Sequence, residues 1–425
     1  MIISCGIIIF GGLLARDYMG FSINKYLFLF TAALPIILVD IKCVIAFSYY
    51  IIPLYVGLPG NYISLIIFAR LLYEVLNKNI TLSTSGFVLS MIISCYIIIQ
   101  NSITGYISIY NMMTGFDFVI LYMLLSATNQ YKQEQNAIIA FSIGNVVLGF
   151  IMLSSTMRFF SIAELMNPAT RLGYSGMLYE KARTGMITTI DPNFYAMNVI
   201  ASISSGSLLI SHKNSKKRNI IILSAIIGNM ILCLIGLSRT FILLLLIWGL
   251  LYIAGQRNIK KACVFIVMGG LLISGVLYFM PTVVNGILSR FEDADVSGGN
   301  GRIYLILKYY EPWFENSLSI LFGIGLFNCR THCTPLLYLF GLGIVGFIPL
   351  LGWFGHNWNM FKKEIGQKQF KNYIPIIVTF ISYATIPAAG TMNYTIPVLV
   401  SMLALGALDS KKDNMHRDSY MRMAL

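Results

Sequence analysis

Residues 212–261 read HKNSKKRNIIILSAIIGNMILCLIGLSRTFILLLLIWGLLYIAGQRNIKK, and this stretch decides the fold. Two basic clusters, at 212–218 and 257–261, enclose 38 residues that are almost all apolar. A bilayer core about 30 Å thick needs roughly twenty apolar residues per helix, so this length fits two helices joined by a tight turn. Because basic loops stay on the cytoplasmic side, the turn GLSRTF (236–241) is expected on the extracytoplasmic side.

The rest of the chain has the same apolar character. Of its 425 residues, 57% are hydrophobic and 11% are charged, whereas a soluble domain carries about a quarter charged residues. Apolar runs recur along the chain without the ten-residue alternation of a membrane β-barrel. The sequence therefore predicts an all-α, polytopic membrane protein with about 12–14 transmembrane helices, forming one integral membrane domain over residues 1–425.

The net charge of +13 does not indicate a nucleic-acid partner. Such a partner needs basic runs interleaved with aromatic residues in a soluble region, and the sequence has none. Loops that face anionic lipid of the bilayer and an anionic substrate explain the charge better.

The predicted spans follow from the apolar runs and from three basic anchors, at 212–218, 257–261 and 362–371. These anchors place both termini in the cytoplasm and leave two large extracytoplasmic loops, 154–192 and 282–332. The first run is interpreted as a span rather than a cleaved signal, because no basic region precedes it. The spans are predicted near residues 1–14, 25–39, 43–59, 61–76, 85–100, 106–127, 136–153, 193–211, 219–236, 240–255, 262–281, 333–355, 373–388 and 392–408.

Arginine is enriched in the predicted outer segments. Eight of their eleven basic residues are arginine, against five of nineteen in the predicted cytoplasmic segments. A guanidinium group offers a planar, two-pronged donor set that suits phosphate, so this bias indicates an anionic substrate at the outer face. Arg16 and Arg158 are interpreted as residues of the membrane interface. The remaining outer arginines are Arg171, Arg183, Arg239, Arg290, Arg302 and Arg330.

Arg239 and His332 are the main candidates for catalysis. Arg239 lies inside the quoted apolar stretch, where a charged residue either snorkels at a helix end or reaches into a functional cavity, and we favour the second interpretation. His332 is the only one of the four histidines in a predicted outer loop. A histidine pKa near about 6.5 suits a general base. His332 equally suits a polar cap for the span that begins at Cys333.

The two outer loops hold the other candidate site residues. Residues 299–314 have the spacing of an amphipathic helix at the membrane interface, with Arg302 near its start and Pro312 expected to break or restart it. In the earlier loop, charged residues are predicted to form the second half of a substrate cleft, although each one alone suits a solvated loop. They are Arg171, Arg183 and Asp191.

Two metal sites are weighed and set aside. Cys329, His332 and Cys333 supply only three of the ligands that zinc prefers, so free thiols or a labile disulfide are the favoured interpretation. Asp293 and Asp295 form a D-x-D, which alone is a weak signal for a divalent ion.

Four segments resemble the O-antigen polymerase and O-antigen ligase superfamily of bacterial polysaccharide assembly. They are IDPNFYAM (190–197), GLSRTF (236–241), GNGRIYLILKYY (299–310) and FGIGLFNCRTHCTPLLYLFGLGIVG (322–346). The last segment combines a G-x-G turn, a histidine and a span with a further G-x-x-G. The resemblance covers the C-terminal half of the chain and the layout of spans around one large late outer loop.

The resemblance implies a metal-independent, inverting glycosyltransferase with a GT-C-like membrane fold and no cofactor. Its donor and acceptor are glycans on undecaprenyl pyrophosphate, and a chain-length regulator protein is an implied partner. Carried onto this chain, Arg239 and Arg302 clamp the pyrophosphate leaving group, with Arg290 as a further candidate. His332 is the implied base for the acceptor hydroxyl. The family commonly has His-Asn where this chain has His332 followed by Cys333.

Three functions compete at this point. The first expectation is a polymerase that transfers a lipid-linked glycan onto the next lipid-linked repeat unit, at the outer face of the bacterial inner membrane. An O-antigen ligase that moves the polymer to lipid A–core needs the same residues. A flippase would instead place ionisable residues along a central path, and only Asp117 is clearly placed within a predicted span.

Overall fold

The structure is a computed structural model in which every regular element that is described is a helix. The predicted all-α class is therefore confirmed for this part of the chain, which contains no strand. The described residues are 1–106, 108–161, 164, 187–210, 215–235, 238–255, 302–362, 369–386 and 392–408, with single helical positions at 260, 263, 267, 270, 274, 278, 281 and 285.

The helices are numbered here in chain order. They are α1 (Ile2–Asp17), α2 (Lys25–Leu38), α3 (Ile41–Ile51), α4 (Gly60–Leu76), α5 (Thr84–Ile103), α6 (Ile109–Gln130), α7 (Glu134–Met157), α8 (Pro192–Ile210), α9 (Lys216–Ile235), α10 (Arg239–Ala254), α11 (Arg302–Phe314), α12 (Ser317–Phe322), α13 (Thr334–Lys362), α14 (Ile374–Tyr383) and α15 (Met392–Gly406). Short 3-10 helices follow α3 and precede α14, at Ile52–Val56 and Phe370–Tyr373.

The described part of the chain contains six helices that are long and apolar enough to cross a membrane: α5, α6, α7, α8, α9 and α13. Shorter apolar helices accompany them, among them α2, α10 and α15. Large apolar side chains such as Phe30, Ile231 and Leu250 point away from the protein interior. Lipid is the surrounding that suits such side chains. The chain is thus a helical membrane protein.

The predicted spans match most of the helices and differ most at three places. The span predicted at 43–59 is α-helical only to Ile51 and continues as a 3-10 helix to Val56. The span predicted at 333–355 continues to Lys362, and the span predicted at 373–388 ends as a helix at Tyr383. Pro312 does not break α11, which ends two residues later at Phe314. A proline at this position removes one backbone hydrogen bond, to the turn that precedes it. The span predicted at 262–281 lies outside the described residues except for the single positions given above.

The helix ends form two groups. We call the first group the Lys132 end, and it contains Asn79, Gln130, Lys132, Gln135 and Ala407. Gln130 Nε2 donates to Asn79 O at 2.7 Å, which joins the turns before α5 and α7. Gln135 Nε2 donates to Ala407 O at 3.1 Å, and Arg218 Nη1 donates to Gln135 Oε1 at 2.8 Å. The turns that the sequence analysis placed in the cytoplasm therefore contact one another.

The opposite group is the Arg16 end. Here the Arg16 guanidinium donates to Gly57 O at 3.0 Å and to Thr188 Oγ1 at 2.8 Å. These contacts join the end of α1, the turn before α4 and the segment before α8. The end of α1 and the segment before α8 were predicted outside, and Gly57 lies near the outer end of the span predicted at 43–59.

Polar side chains join the central helices within the core. Asn145 Nδ2 of α7 donates to Ser202 Oγ of α8 at 3.0 Å, and Asn229 Nδ2 of α9 donates to Ser142 O of α7 at 3.0 Å. All four residues are buried. Hydrogen bonds of this kind hold helices together where lipid supplies no hydrophobic force between them. They fix α8, whose first turn belongs to the candidate site.

A break in α13 brings two glycine-rich segments into backbone contact. Gly343 has φ of 64°, and beside it runs the segment 322–325, whose N–H groups donate to Phe340 O and Gly341 O at 2.9 and 3.1 Å. A Cβ on Gly323 would lie 2.2 Å from Gly341 O, so only glycine permits this approach. The glycines of the quoted 322–346 segment therefore serve close packing, and they return the chain toward the start of α13.

Candidate functional site

The first turn of α8 is capped by Asp191. Asn193 donates its backbone N–H to the Asp191 carboxylate at 2.7 Å, and Tyr195 N–H donates to Asp191 O at 3.2 Å. Pro192 occupies the first helical position, where no N–H is needed. The exposed carboxylate of Asp191 stabilises the positive end of α8. Its predicted role in substrate binding stays a prediction.

The first turn of α10 is joined to that of α8. Ser238 Oγ accepts the N–H of Phe241 at 3.2 Å and donates to Asn193 Oδ1 at 3.0 Å. Ser238 is thus the N-cap of α10, and Arg239 is its first residue. Arg239 is half-buried. The turn predicted from GLSRTF therefore places the arginine beside the start of a second helix.

The first turn of α15 packs against the same place. The rings of Phe194 and Tyr394 stack with centroids 4.5 Å apart and planes at 25°. Tyr383, at the end of α14, donates its hydroxyl to Tyr394 O. Asp117, buried in the middle of α6, accepts the Met392 N–H at 2.9 Å. This hydrogen bond satisfies the first N–H of a helix that begins inside the protein.

The connection between α14 and α15 is flanked by buried residues. With 10 and 15 residues, these helices are about 15 and 22 Å long, shorter than a bilayer core of about 30 Å. Ile386 and Met392, on either side of this turn, are both buried.

His332 lies just before α13, close to the α14 end. Thr334 donates its hydroxyl to Ile386 O, and Cys333 O accepts the N–H of Leu337 at 2.8 Å. Because α13 begins at Thr334, Cys333 rather than His332 occupies the position that precedes the helix. The interpretation of His332 as a polar cap stays a prediction. Its half-buried ring belongs to the loop that ends here.

The thiols beside His332 are not joined to each other. Cys329 is buried and Cys333 is half-buried, and both are free. Burial raises the pKa of the Cys329 thiol, although hydrogen bonds with Thr331 oppose the shift. Within the described ranges, no three His, Cys, Asp or Glu side chains gather as a metal site would require.

The N-terminal ends of α8, α10, α13 and α15 converge through these contacts. Asn193 bonds Ser238, Phe194 stacks on Tyr394, and Thr334 bonds the segment that precedes α15. The N–H groups of Asn193, Phe241 and Met392 are already bonded to side chains, and the helix dipoles add partial positive charge where these helices begin. The convergence, with Arg239 at one of the four helix starts, forms a place that is chemically suited to a phosphate-bearing ligand.

The structure locates the other predicted site residues only in part. Arg302 is the first residue of α11, and its side chain lies outside the described part of the structure. Rings of α11 contact Phe340 of α13, at centroid distances of 6.2 Å from Tyr310 and 5.1 Å from Trp313. Tyr304 is exposed, so α11 has two unlike faces, as predicted for an amphipathic helix. Arg171, Arg183, Arg290, Asp293 and Asp295 lie outside the described residues.

Arg16 and Arg158 make contacts within the protein, and their place at the membrane interface stays a prediction. Arg16 forms an ion pair at 2.5 Å with Asp17, a carboxylate that is fully buried. Arg158 Nη1 approaches Asp17 O at 3.5 Å. A buried carboxylate requires partners of this kind, because an ion without them is costly in a low-dielectric interior.

Sequence reasoning missed Asn193, Tyr383 and Tyr394 as parts of the site. The available signal was polar side chains placed just inside the ends of predicted spans. Asp117 carried the clearest signal, an ionisable residue within a span. No family model matches the chain, and no curated protein matches it.

Proposed function

We propose that this chain is a surface polysaccharide polymerase of the O-antigen type. It is a metal-independent, inverting glycosyltransferase that moves a glycan from undecaprenyl pyrophosphate onto the next lipid-linked repeat unit. The proposal includes 12–14 spans in a GT-C-like layout, in the bacterial inner membrane, with both termini in the cytoplasm. The observation that carries it is the convergence of four helix N-termini with Arg239 at one of them.

The reaction explains why this arrangement is useful. The acceptor hydroxyl attacks the anomeric carbon, the bond to the pyrophosphate oxygen breaks, and negative charge develops on the leaving group. Oriented N–H groups and a guanidinium stabilise such charge without rearrangement. A single charge-assisted hydrogen bond contributes about 1.5–3 kcal/mol. Arg239 is assigned to this clamp, with Arg302 and Arg290 as its proposed companions.

His332 is the proposed base for the acceptor hydroxyl. It lies two residues before Thr334, whose hydroxyl bonds the turn between α14 and α15. An imidazole can exist in its protonated or its neutral form near neutral pH, so it can both accept and release a proton. General base catalysis of this kind raises a rate about 10²–10⁴-fold. The proton leaves the acceptor oxygen and goes to the imidazole as the new glycosidic bond forms.

The charge distribution supports an extracytoplasmic site. Lys78 and Lys132 lie in turns of the Lys132 end, next to the Asn79–Gln130 contact. Lysine-rich turns mark the cytoplasmic side of a membrane. Arg239 and His332 belong to the opposite group of helix ends. A lipid-linked glycan that has already crossed the bilayer would meet the protein there.

A gel of lipopolysaccharide from a strain that lacks this protein tests the proposal. Core with a single repeat unit and no ladder is the expected result. Core alone, with lipid-linked polymer accumulated, would assign the chain as a ligase. Loss of even the single repeat unit, with undecaprenyl-linked units held inside the cell, would assign a flippase. An unchanged ladder would contradict all three.

Variants expressed in the strain that lacks this protein test whether the site residues are needed for the ladder. Arg239→Lys is expected to leave the protein in the membrane but not to restore the ladder, because lysine lacks the two-pronged grip. Arg218→Lys is the matched control, since Arg218 bonds Gln135 at the opposite end. The control should restore the ladder fully. A ladder restored by both variants would remove Arg239 from the clamp.

A further inference from the structure

A buried carboxylate at the end of α1 is bonded to a segment far away in the chain. Asp17 has no exposed surface, and it accepts the Arg16 Nε at 2.5 Å and Nη2 at 3.2 Å. Its Oδ2 also accepts the backbone N–H of Thr188 at 3.0 Å. The carboxylate therefore holds a backbone position 171 residues further along the chain.

Arg16 holds the same distant residue through a second bond. Its Nη2 donates to the Thr188 hydroxyl at 2.8 Å, while Nη1 donates to Gly57 O at 3.0 Å. Thr188 is fully buried and is fixed through both its backbone and its side chain. A Cβ on Gly57 would lie 2.2 Å from Thr188 Oγ1, so glycine is required for this close approach.

The other end of the same chain segment reaches the same place. Arg158 immediately follows α7, and its Nη1 lies 3.5 Å from Asp17 O. Its guanidinium covers Gly20, which has φ of +81°, and a Cβ on Gly20 would lie 2.5 Å from Arg158 Nη2. The residues before and after 159–187 are thus both attached to the end of α1.

This attachment lies close in sequence to the proposed site. Thr188 is three residues before Asp191, the cap of α8, and Asn193 bonds Ser238 at the start of α10. Asn193 follows Thr188 closely in the chain and bonds Ser238, the residue before Arg239. Few backbone torsions therefore separate Thr188 from Asn193. Fixing those torsions before substrate arrives removes an ordering cost that binding would otherwise meet.

We propose that Arg16, Asp17 and Thr188 are positioning residues that tie the segment before α8 to the end of α1 and thereby set the first turn of α8 in the site. This inference rests on the proposed function for its effect on catalysis. The tie itself is a property of the fold. It assigns a role in substrate positioning to the first helix, which contributes no predicted catalytic residue.

The test uses the full-length protein in lipid nanodiscs with a synthetic undecaprenyl-pyrophosphate-linked oligosaccharide. Thr188→Val removes the hydroxyl and keeps the shape, whereas Thr188→Ser keeps the hydroxyl. Thr128→Val is the matched control, a buried threonine at the Lys132 end that bonds Leu124 O at 2.7 Å. Amide hydrogen exchange over 188–198 and transfer kinetics are measured for each protein.

Thr188→Val is expected to raise exchange over 188–198 at least tenfold and to raise the donor KM about fivefold with kcat nearly unchanged. Thr188→Ser should restore both, and Thr128→Val should change neither. Unchanged exchange in Thr188→Val would overturn the tie. Raised exchange with an unchanged KM would overturn its positioning role. If the wild-type protein itself performs no transfer, the proposed function fails, and the role in positioning fails with it, whatever the exchange data say of the tie.

Discussion

Arg16 and Arg239 are two arginines at helix ends that play different parts. Arg16 lies in the last turn of α1, where the helix dipole favours a cation, and it is bonded to Asp17, Gly57 and Thr188. Arg239 is the first residue of α10, where the helix dipole opposes a cation and favours an anion. A count of outer arginines treats them alike. The direction of the helix and the chemistry of its neighbours separate a structural arginine from a ligand-binding one.

The largest expected effect comes from a variant that removes the buried counterion of Arg16, the structural arginine. Asp17→Leu would leave the Arg16 guanidinium without its buried counterion, which costs about 3–5 kcal/mol in comparable cases. We expect a strongly lowered unfolding temperature in detergent and little protein in the membrane. Asp40→Ala is the control, because Asp40 is an exposed cap of α3, worth about 1 kcal/mol. Equal thermal stability of the two variants would contradict a structural role for Asp17.

The next effect separates the two arginines directly. Arg239→Lys should lower the transfer rate per folded molecule about 10–150-fold, the equivalent of one charge-assisted bond of 1.5–3 kcal/mol, at an unchanged unfolding temperature. Arg16→Lys should instead lower the unfolding temperature, because lysine cannot reach three partners at once. Rates are measured by product mass spectrometry, and stability by thermal unfolding. The same change in transfer rate and in unfolding temperature for both variants would contradict the distinction between the two arginines.

The smallest effect concerns the bond between α8 and α10. Ser238→Ala removes the cap of α10 and the hydrogen bond to Asn193, and it should cost about 1 kcal/mol of stability. Because Arg239 follows directly, a modest rise in donor KM is also expected. Ser238→Thr keeps the hydroxyl and serves as the control. A KM unaffected by Ser238→Ala would show that the start of α10 keeps its place without Asn193.

Much of the fold could be predicted because the length of an apolar run and the position of lysines are local properties. α4 and α10, for example, begin and end within one residue of the predicted spans. The extension of α13 to Lys362 was missed because its last two turns mix polar residues, such as Asn357, with aromatic ones. Asn357 is buried, so tertiary packing rather than apolar composition keeps those turns helical.

The site was less predictable because its contacts join residues that are distant in the chain. Arg239 and His332 could be selected by residue type alone. The structure adds the contacts beside them, between Ser238 and Asn193 and between Thr334 and Ile386. Asn193 and Ser238 are 45 residues apart, and Arg16 and Thr188 are 172 apart. No local pattern encodes such pairs, so the contacts of Arg16 could not be predicted from the sequence.

Donor binding by the purified protein tests the central claim most directly. The wild type, Arg239→Lys and His332→Ala are each placed in nanodiscs with the undecaprenyl-pyrophosphate-linked oligosaccharide, and both donor affinity and chain extension are measured. We expect full extension by the wild type, extension about 10–150-fold slower by Arg239→Lys, and none by His332→Ala. The account predicts wild-type affinity for His332→Ala and an affinity at least tenfold weaker for Arg239→Lys. Equal donor affinity and extension in the wild type and Arg239→Lys would contradict the claim that Arg239 binds the pyrophosphate.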